Sequence, residues 1–320
     1  MQSPDVPTLV FLHQGAIGDF VLALSIVQAT AAKVRIARVV AIASAPSAGL
    51  AAGRSVINQR LLPDQVGLHT LFGEGAAADR RLRELLADAS YVLSFLGPPS
   101  GPLDGALREA TQAPVISLDP RPSAETLDQR QHITVQWASD VARAGFELTE
   151  LDPPVIRMDS PAESTNDGRP MVIIHPGSGG DAKCWPLDRF MAVADKLQDC
   201  RVKWMLGPAE CESDTTLVRS VRQRSESRDE ALLIEEAFLK AAGRIAAADL
   251  YLGNDAGMTH VAAAMGIRAV AIYGPTDPAV WRPLGNHVSP VATPQPGMPI
   301  DAVLTTTVIA SVHARLAQIS

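Results

Sequence analysis

Three strand-to-helix loops hold residues whose types and spacing could do chemistry. The first is His13-Gln14-Gly15-Ala16-Ile17-Gly18-Asp19. Gly15 and Gly18 allow a tight turn and close approach of a ligand to the backbone. Asp19 falls in the first turn of the next helix, where the dipole favours a carboxylate. Spacing alone leaves it open between a working carboxylate and a plain acidic helix start. The second loop runs from His175 to Pro186, as HPGSGGDAKCWP. Gly177, Ser178, Gly179 and Gly180 can present N–H groups to an anion, Lys183 adds a mobile positive charge, and Pro186 suits a first helical turn. That coincidence favours an anion site over a bare surface loop. The third, Gly253-Asn254-Asp255-Ala256-Gly257-Met258-Thr259-His260, leads from a buried strand into an alanine-rich helix. The free N–H groups at such a helix start suit a diphosphate. Asp255 could cap that helix or bind a sugar. His260 could meet phosphate or be a satisfied core histidine. A fourth loop, Tyr273-Gly274-Pro275-Thr276-Asp277-Pro278, reads as turn chemistry. The first loop lacks the Gly-x-Gly-x-x-Gly spacing of dinucleotide sites, and the second lacks the Walker order.

The elements that position these loops alternate between short apolar runs and helical patterns. Thr8–His13, Val39–Ala43, Tyr91–Phe95 and Val115–Leu118 read as strands, with helices from Asp19 to Lys33 and near 76–88, 102–111 and 131–145. Leu151–Arg169, rich in Pro and polar residues, reads as a linker. The pattern then restarts. Strands are expected at Met171–Ile174, Val202–Leu206, Leu250–Leu252 and Ala269–Tyr273, with helices near 186–198, 209–224, 235–247 and from 257. Such alternation specifies parallel sheets covered on both faces. The reading is therefore an N-terminal Rossmann-like domain (1–155), a linker (156–169), and a second Rossmann-like domain (170–299) facing the first across a cleft. Pro290–Pro299 is expected to be loop. Residues 300–320 are expected to be mostly helical and able to pack back on the N-terminal domain.

Length and composition bound the function. The 320 residues suit two domains, and 47% hydrophobic with 20% charged residues is an ordinary globular profile. A net charge of −7 argues against a nucleic-acid binder, which needs a broad basic surface. The basic cluster Arg80, Arg81 and Arg83 reads chiefly as a solvated helix face. Cys184, Cys200 and Cys211 have no metal-binding spacing and fit a reducing cytosol. No signal peptide or membrane span is expected, so membrane contact would be peripheral.

In their order and spacing the four loops resemble glycosyltransferase family nine, the lipopolysaccharide heptosyltransferases and their relatives, over about residues 8 to 284. The resemblance implies a GT-B fold, with acceptor on the N-terminal domain and nucleotide-sugar on the C-terminal one. It implies an inverting transfer from a donor such as ADP-heptose to a lipopolysaccharide-core or other envelope glycan or glycolipid. The enzyme would sit in the cytoplasm, in peripheral contact with the inner face of the membrane. Asp19 matches the family's general base, with Gly15 and Gly18 on the acceptor side. Ser178, Lys183, Asp255, Ala256, Gly257, Met258 and His260 fall in the donor-binding motifs, and Glu210 reads either as the match to a ribose-contacting acid of the family or as a surface glutamate. No Asp-x-Asp occurs in the chain, which agrees with a metal-independent reaction, and no cofactor is expected. Ala256 stands where the family usually has Ser or Thr, and His13 where a basic Arg is common. Two other readings remain: a catalytically silent sugar-nucleotide-binding protein, and a nucleotide-sugar epimerase on the same architecture.

Overall fold

The computed structural model describes residues 6–73, 78–148, 150–158, 167–213, 215–228, 230–234 and 237–319. Residues 159–166 of the expected linker, and the expected helix starts at 76–77 and 235–236, lie outside the described residues. The chain forms two units, Met1–Ile156 and Arg157–Ser320.

The first unit carries β1 (Thr8–His13), β2 (Arg38–Ile42), β3 (Gln59–Leu61), β4 (Tyr91–Phe95) and β5 (Val115–Ser117) in one parallel sheet of order β3-β2-β1-β4-β5. The chain starts in the middle at β1, winds outward through β2 and β3, then reverses to β4 and β5. That reversal opens a switch point between the carboxyl ends of β1 and β4, where sheets of this kind bind ligands. Every residue of β1 is buried, as a central parallel strand requires. The helix that follows it, Ile17–Lys33, is buried through most of its length and packs on the helix Ile133–Arg143.

The second unit carries β6 (Met171–His175), β7 (Arg201–Leu206), β8 (Ala231–Ile234), β9 (Leu250–Asn254), β10 (Arg268–Tyr273) and β11 (Val288–Ala292). They too are all parallel, in the order β11-β10-β9-β6-β7-β8. This is the same doubly wound order with one more strand. Its switch point lies between β6 and β9, where His175 pairs with Gly253. The two glycine-bearing loops therefore leave neighbouring strands at the one place where a crevice must open.

Alternation along each strand builds two cores. Val172, Ile174, Leu252, Val270 and Ile272 face one side with Trp185 and Phe190, whose rings meet edge-on at 5.1 Å. Ile173, Tyr251, Ala269, Ala271 and Tyr273 face the other, against Ala262 and Ala263 of the helix Gly257–Ala264. Each large apolar side chain so buried stabilises the fold by about 1.5–3 kcal/mol.

One expectation about the tail changes. Residues 288–292 form β11 instead of loop: it is an edge strand, where proline is tolerated, and Pro290 sits opposite Ala271 within the ladder. The C-terminal segment is a 3-10 turn, Ile300–Ala302, followed by the helix Thr305–Leu316. Val308 and Val312 complete the core of the second unit, so this helix packs on β9, β10 and β11.

Candidate functional site

Asn254, the last residue of β9, is fully buried and binds the second loop to the third. Its side-chain Nδ2 donates to the Pro176 carbonyl at 2.7 Å and to that of Gly177 at 3.3 Å, while Oδ1 accepts from Trp185 N–H at 3.1 Å. Ser178 Oγ donates to the Asp255 carbonyl at 3.0 Å. Across this frame Lys183 Nζ lies 2.6 Å from Asp255 Oδ2. The lysine is about two-fifths exposed and the aspartate nearly buried. The site thus holds a mobile cation over a fixed carboxylate.

The helix Gly257–Ala264 starts beside this pair. Its cap residue, Ala256, offers no side-chain acceptor to the first turn. Thr259 Oγ1 instead donates backwards to the Asn254 carbonyl at 2.6 Å. Gly257 and Met258 form the half-buried first turn, and His260 is buried in the turn above. Its alanines let the helix pack closely on β9 and β10.

Beneath the second loop lies Glu210. A side-chain carbon on Gly177 would fall on its carboxylate, so the glycine lets the Glu210 side chain lie where it does. Gly207 N–H donates to Glu210 Oε2 at 2.7 Å. Glu210 is therefore tucked under the loop, with its side chain only 11% exposed. Its Oε1 is 3.8 Å from His175 Nε2, beyond hydrogen-bonding range. His175 Nδ1 bonds the Tyr251 hydroxyl at 2.8 Å. Burial lowers the His175 pKa, with Glu210 opposing, and burial raises that of Tyr251, so both rings stay neutral.

In the first unit, β1 ends on His13 and the chain turns at Gly15 into the helix bearing Asp19. Gly15 N–H donates to His13 Nδ1 at 3.2 Å. The imidazole sits among Phe11, Phe20 and Phe95, with ring centres 5.4 to 6.0 Å away. Burial brings its pKa down to about 4. Gly15 is exposed, Gly18 buried and Asp19 half-buried. Two arginines of the basic cluster are engaged at the surface: Arg80 with Glu84 at 3.6 Å and Arg81 with Asp79 at 3.1 Å.

Ser178, Lys183, Asp255, Ala256 and Gly257 thus come together at the second switch point, with Met258 and His260 on the helix behind them and Glu210 under the adjoining loop. Gly15, Gly18 and Asp19 gather at the first. Sequence reasoning gave no role to Asn254 or to the Tyr251–His175 pair, though a polar residue at the end of a buried strand is a readable signal. Residues 124–300, more than half the chain, match Glycosyltransferase family 9 (heptosyltransferase). The chain belongs to this family. Lipopolysaccharide heptosyltransferase 3 of Escherichia coli is 28% identical over 133 residues, a match covering 41% of this chain and 39% of that protein. The matched stretch therefore spans well under half of that family member. Among solved structures, a family 9 glycosyl transferase from Veillonella parvula superposes with a TM-score of 0.76 at 15% identity over 99% of both chains. E. coli heptosyltransferase WaaC with ADP gives 0.70 at 16% identity, covering 96% of this chain and 99% of that one. Identities this low speak for fold, and the fold is the GT-B type of the family: two parallel-sheet α/β units.

Proposed function

We propose that this family 9 protein is an inverting glycosyltransferase that moves a sugar, heptose from ADP-heptose in the leading reading, to an envelope glycan or glycolipid. The observation that carries the proposal is the Lys183–Asp255 pair beside an uncapped helix start. A nucleoside diphosphate would draw Lys183 and the N–H groups of Gly257 and Met258 to its phosphates. Those donors stabilise the charge that develops as the anomeric C–O bond breaks. Asp255, released from the lysine, would read hydroxyls of the sugar, and Glu210 would read the ribose. Asp19 takes the proton of the acceptor hydroxyl as its oxygen attacks the opposite face of the anomeric carbon. The reaction so drawn is independent of metal. A lipid-borne acceptor would bring the enzyme to the inner face of the cytoplasmic membrane.

The test is ADP release from ADP-heptose in the presence of truncated lipopolysaccharide. Asp19→Asn should cut turnover by about 10²–10⁴-fold while leaving the affinity for ADP within twofold. Turnover at the wild-type rate would make Asp19 a helix-start residue only. A silent nucleotide-sugar-binding protein is the second reading, favoured by Ala256, which lacks a phosphate-facing hydroxyl. Tight donor binding without turnover on any acceptor would select it.

A further inference from the structure

His13 has no part in the proposal above, yet it shares one small space with Asp19. A side-chain carbon placed on exposed Gly15 would lie 3.0 Å from His13 Cε1, 3.3 Å from His13 Nε2 and 3.4 Å from Asp19 Oδ2. The imidazole edge of His13 and the carboxylate of Asp19 therefore border the same space over the Gly15 backbone. The backbone fixes which imidazole nitrogen carries hydrogen. Nδ1 accepts the Gly15 N–H, so in the neutral ring Nε2 carries the proton and is a donor. The surrounding phenylalanines hold the ring in place and, by excluding water, hold it neutral.

We propose that His13 is a substrate-orienting residue: its Nε2–H donates to the oxygen of the acceptor hydroxyl in the space over Gly15, while Asp19 Oδ2 accepts that hydroxyl's proton. The inference rests on the reading of Asp19 as base and adds a second contact to the same hydroxyl. A hydroxyl oxygen has two lone pairs. One accepts from Nε2–H and the other attacks the anomeric carbon. The new C–O bond forms as the bond to the diphosphate breaks, the bonding pair leaves with the phosphate oxygen, and the acceptor proton ends on Asp19. His13 neither gains nor loses a proton. A cationic side chain in its place would instead hold Asp19 by ion pairing and make it a weaker base. A neutral donor orients the nucleophile without that loss.

Two amides separate this role from simple support of the loop. Asparagine at position 13 reproduces the Nδ1 acceptor and loses the distal donor. Glutamine reproduces the distal donor and loses the acceptor. With ADP-heptose and truncated lipopolysaccharide, His13→Asn should lower kcat about 100-fold, and His13→Gln should stay within fivefold of wild type. The reverse order would make the Gly15 hydrogen bond the whole of the residue's role and overturn the proposal. If His13→Asn does not fold, a His13→Gln enzyme slowed more than tenfold would overturn it alone. Nitrogen NMR of the imidazole needs no substrate: a neutral ring with hydrogen on Nε2 at pH 7 is expected, and a cation or the other tautomer refutes the idea. Wild-type protein that is inert, or Asp19→Asn protein that is fully active, brings down the parent reading. Active wild type with inert Asp19→Asn and unimpaired His13→Asn brings down this inference alone.

Discussion

Lys183 and Asp255 stand 72 positions apart in the chain and 2.6 Å apart in space, and the exposed half of that pair is the one a phosphate can take. A phosphate would replace the carboxylate as the lysine's partner, so loss of the lysine should register in binding. Lys183→Ala is expected to weaken ADP by 10- to 100-fold, about 1.5–3 kcal/mol for a charge-assisted hydrogen bond, and to lower the melting temperature as well, because the nearly buried Asp255 carboxylate is left without its partner; calorimetric titration decides. Ala256→Ser acts in the opposite direction. It would supply the missing helix cap and should add about 0.5–2 kcal/mol to stability, while strengthening ADP binding, both visible as a raised melting temperature with and without nucleotide. His13 makes a third prediction. Its folded pKa of about 4 lies below the ordinary value of 6.5, so below pH 6.5 the unfolded chain binds a proton that the folded chain refuses. Stability present above pH 6.5 is therefore lost as pH falls toward 4, by up to roughly 3 kcal/mol. Urea midpoints from pH 7 to 4.5 should fall more steeply for wild type than for His13→Gln, and parallel curves would refute it.

Among the elements, the central strands were legible because they are long apolar runs. The edges were not. β3 and β8 are short and partly exposed, and β11 contains Pro290, which locally argues for loop. What makes them strands is a completed neighbour, Val40 for Gln59 or Leu206 for Ile234, and no window of sequence displays that. The loops follow the same division. Their glycines and Lys183 could be read from spacing, as could the place of Asp255 after a buried strand. The stitching by Asn254 joins residues 69 to 78 positions apart, and the carboxylate of Glu210 under Gly177 joins residues 33 apart, so both appear only once β6, β7 and β9 lie together. Gly274 shows how tight such joins are. A side-chain carbon there would sit 2.6 Å from Ile300 Cα and 2.8 Å from its nitrogen, and backbone cannot step aside as a flexible side chain can. Gly274→Ala should cost about 1–3 kcal/mol by overpacking, read as a lowered urea midpoint.

For the whole molecule, each unit has its own sheet, its own core and its own switch point, and the proposed roles divide between them. Residues 124–300, the stretch that matches the family, include all of the donor loops and none of the Asp19 loop. The donor reading therefore rests on matched sequence, and the base on motif and geometry. In the proposed scheme Lys183 and the helix start would supply the positive charge at the diphosphate. Turnover is accordingly expected to survive extended dialysis against a chelator; a loss restored by a divalent cation would refute the metal-independent scheme.

The segment Ile300–Val303 touches the loops that follow β6 and β10. Its backbone abuts Gly274, and the Val303 carbonyl accepts from Trp185 Nε1 at 3.1 Å and from Arg189 at 2.9 Å. It is also made later in synthesis than every strand it braces. A ribosome that has translated all six strands of the second sheet has not yet delivered the piece that holds the loops after β6 and β10 in register. The N-terminal unit can finish folding while the chain is still growing. The proposed nucleotide site must wait, and a nascent chain stalled at residue 299 should carry a complete first sheet and no affinity for ADP.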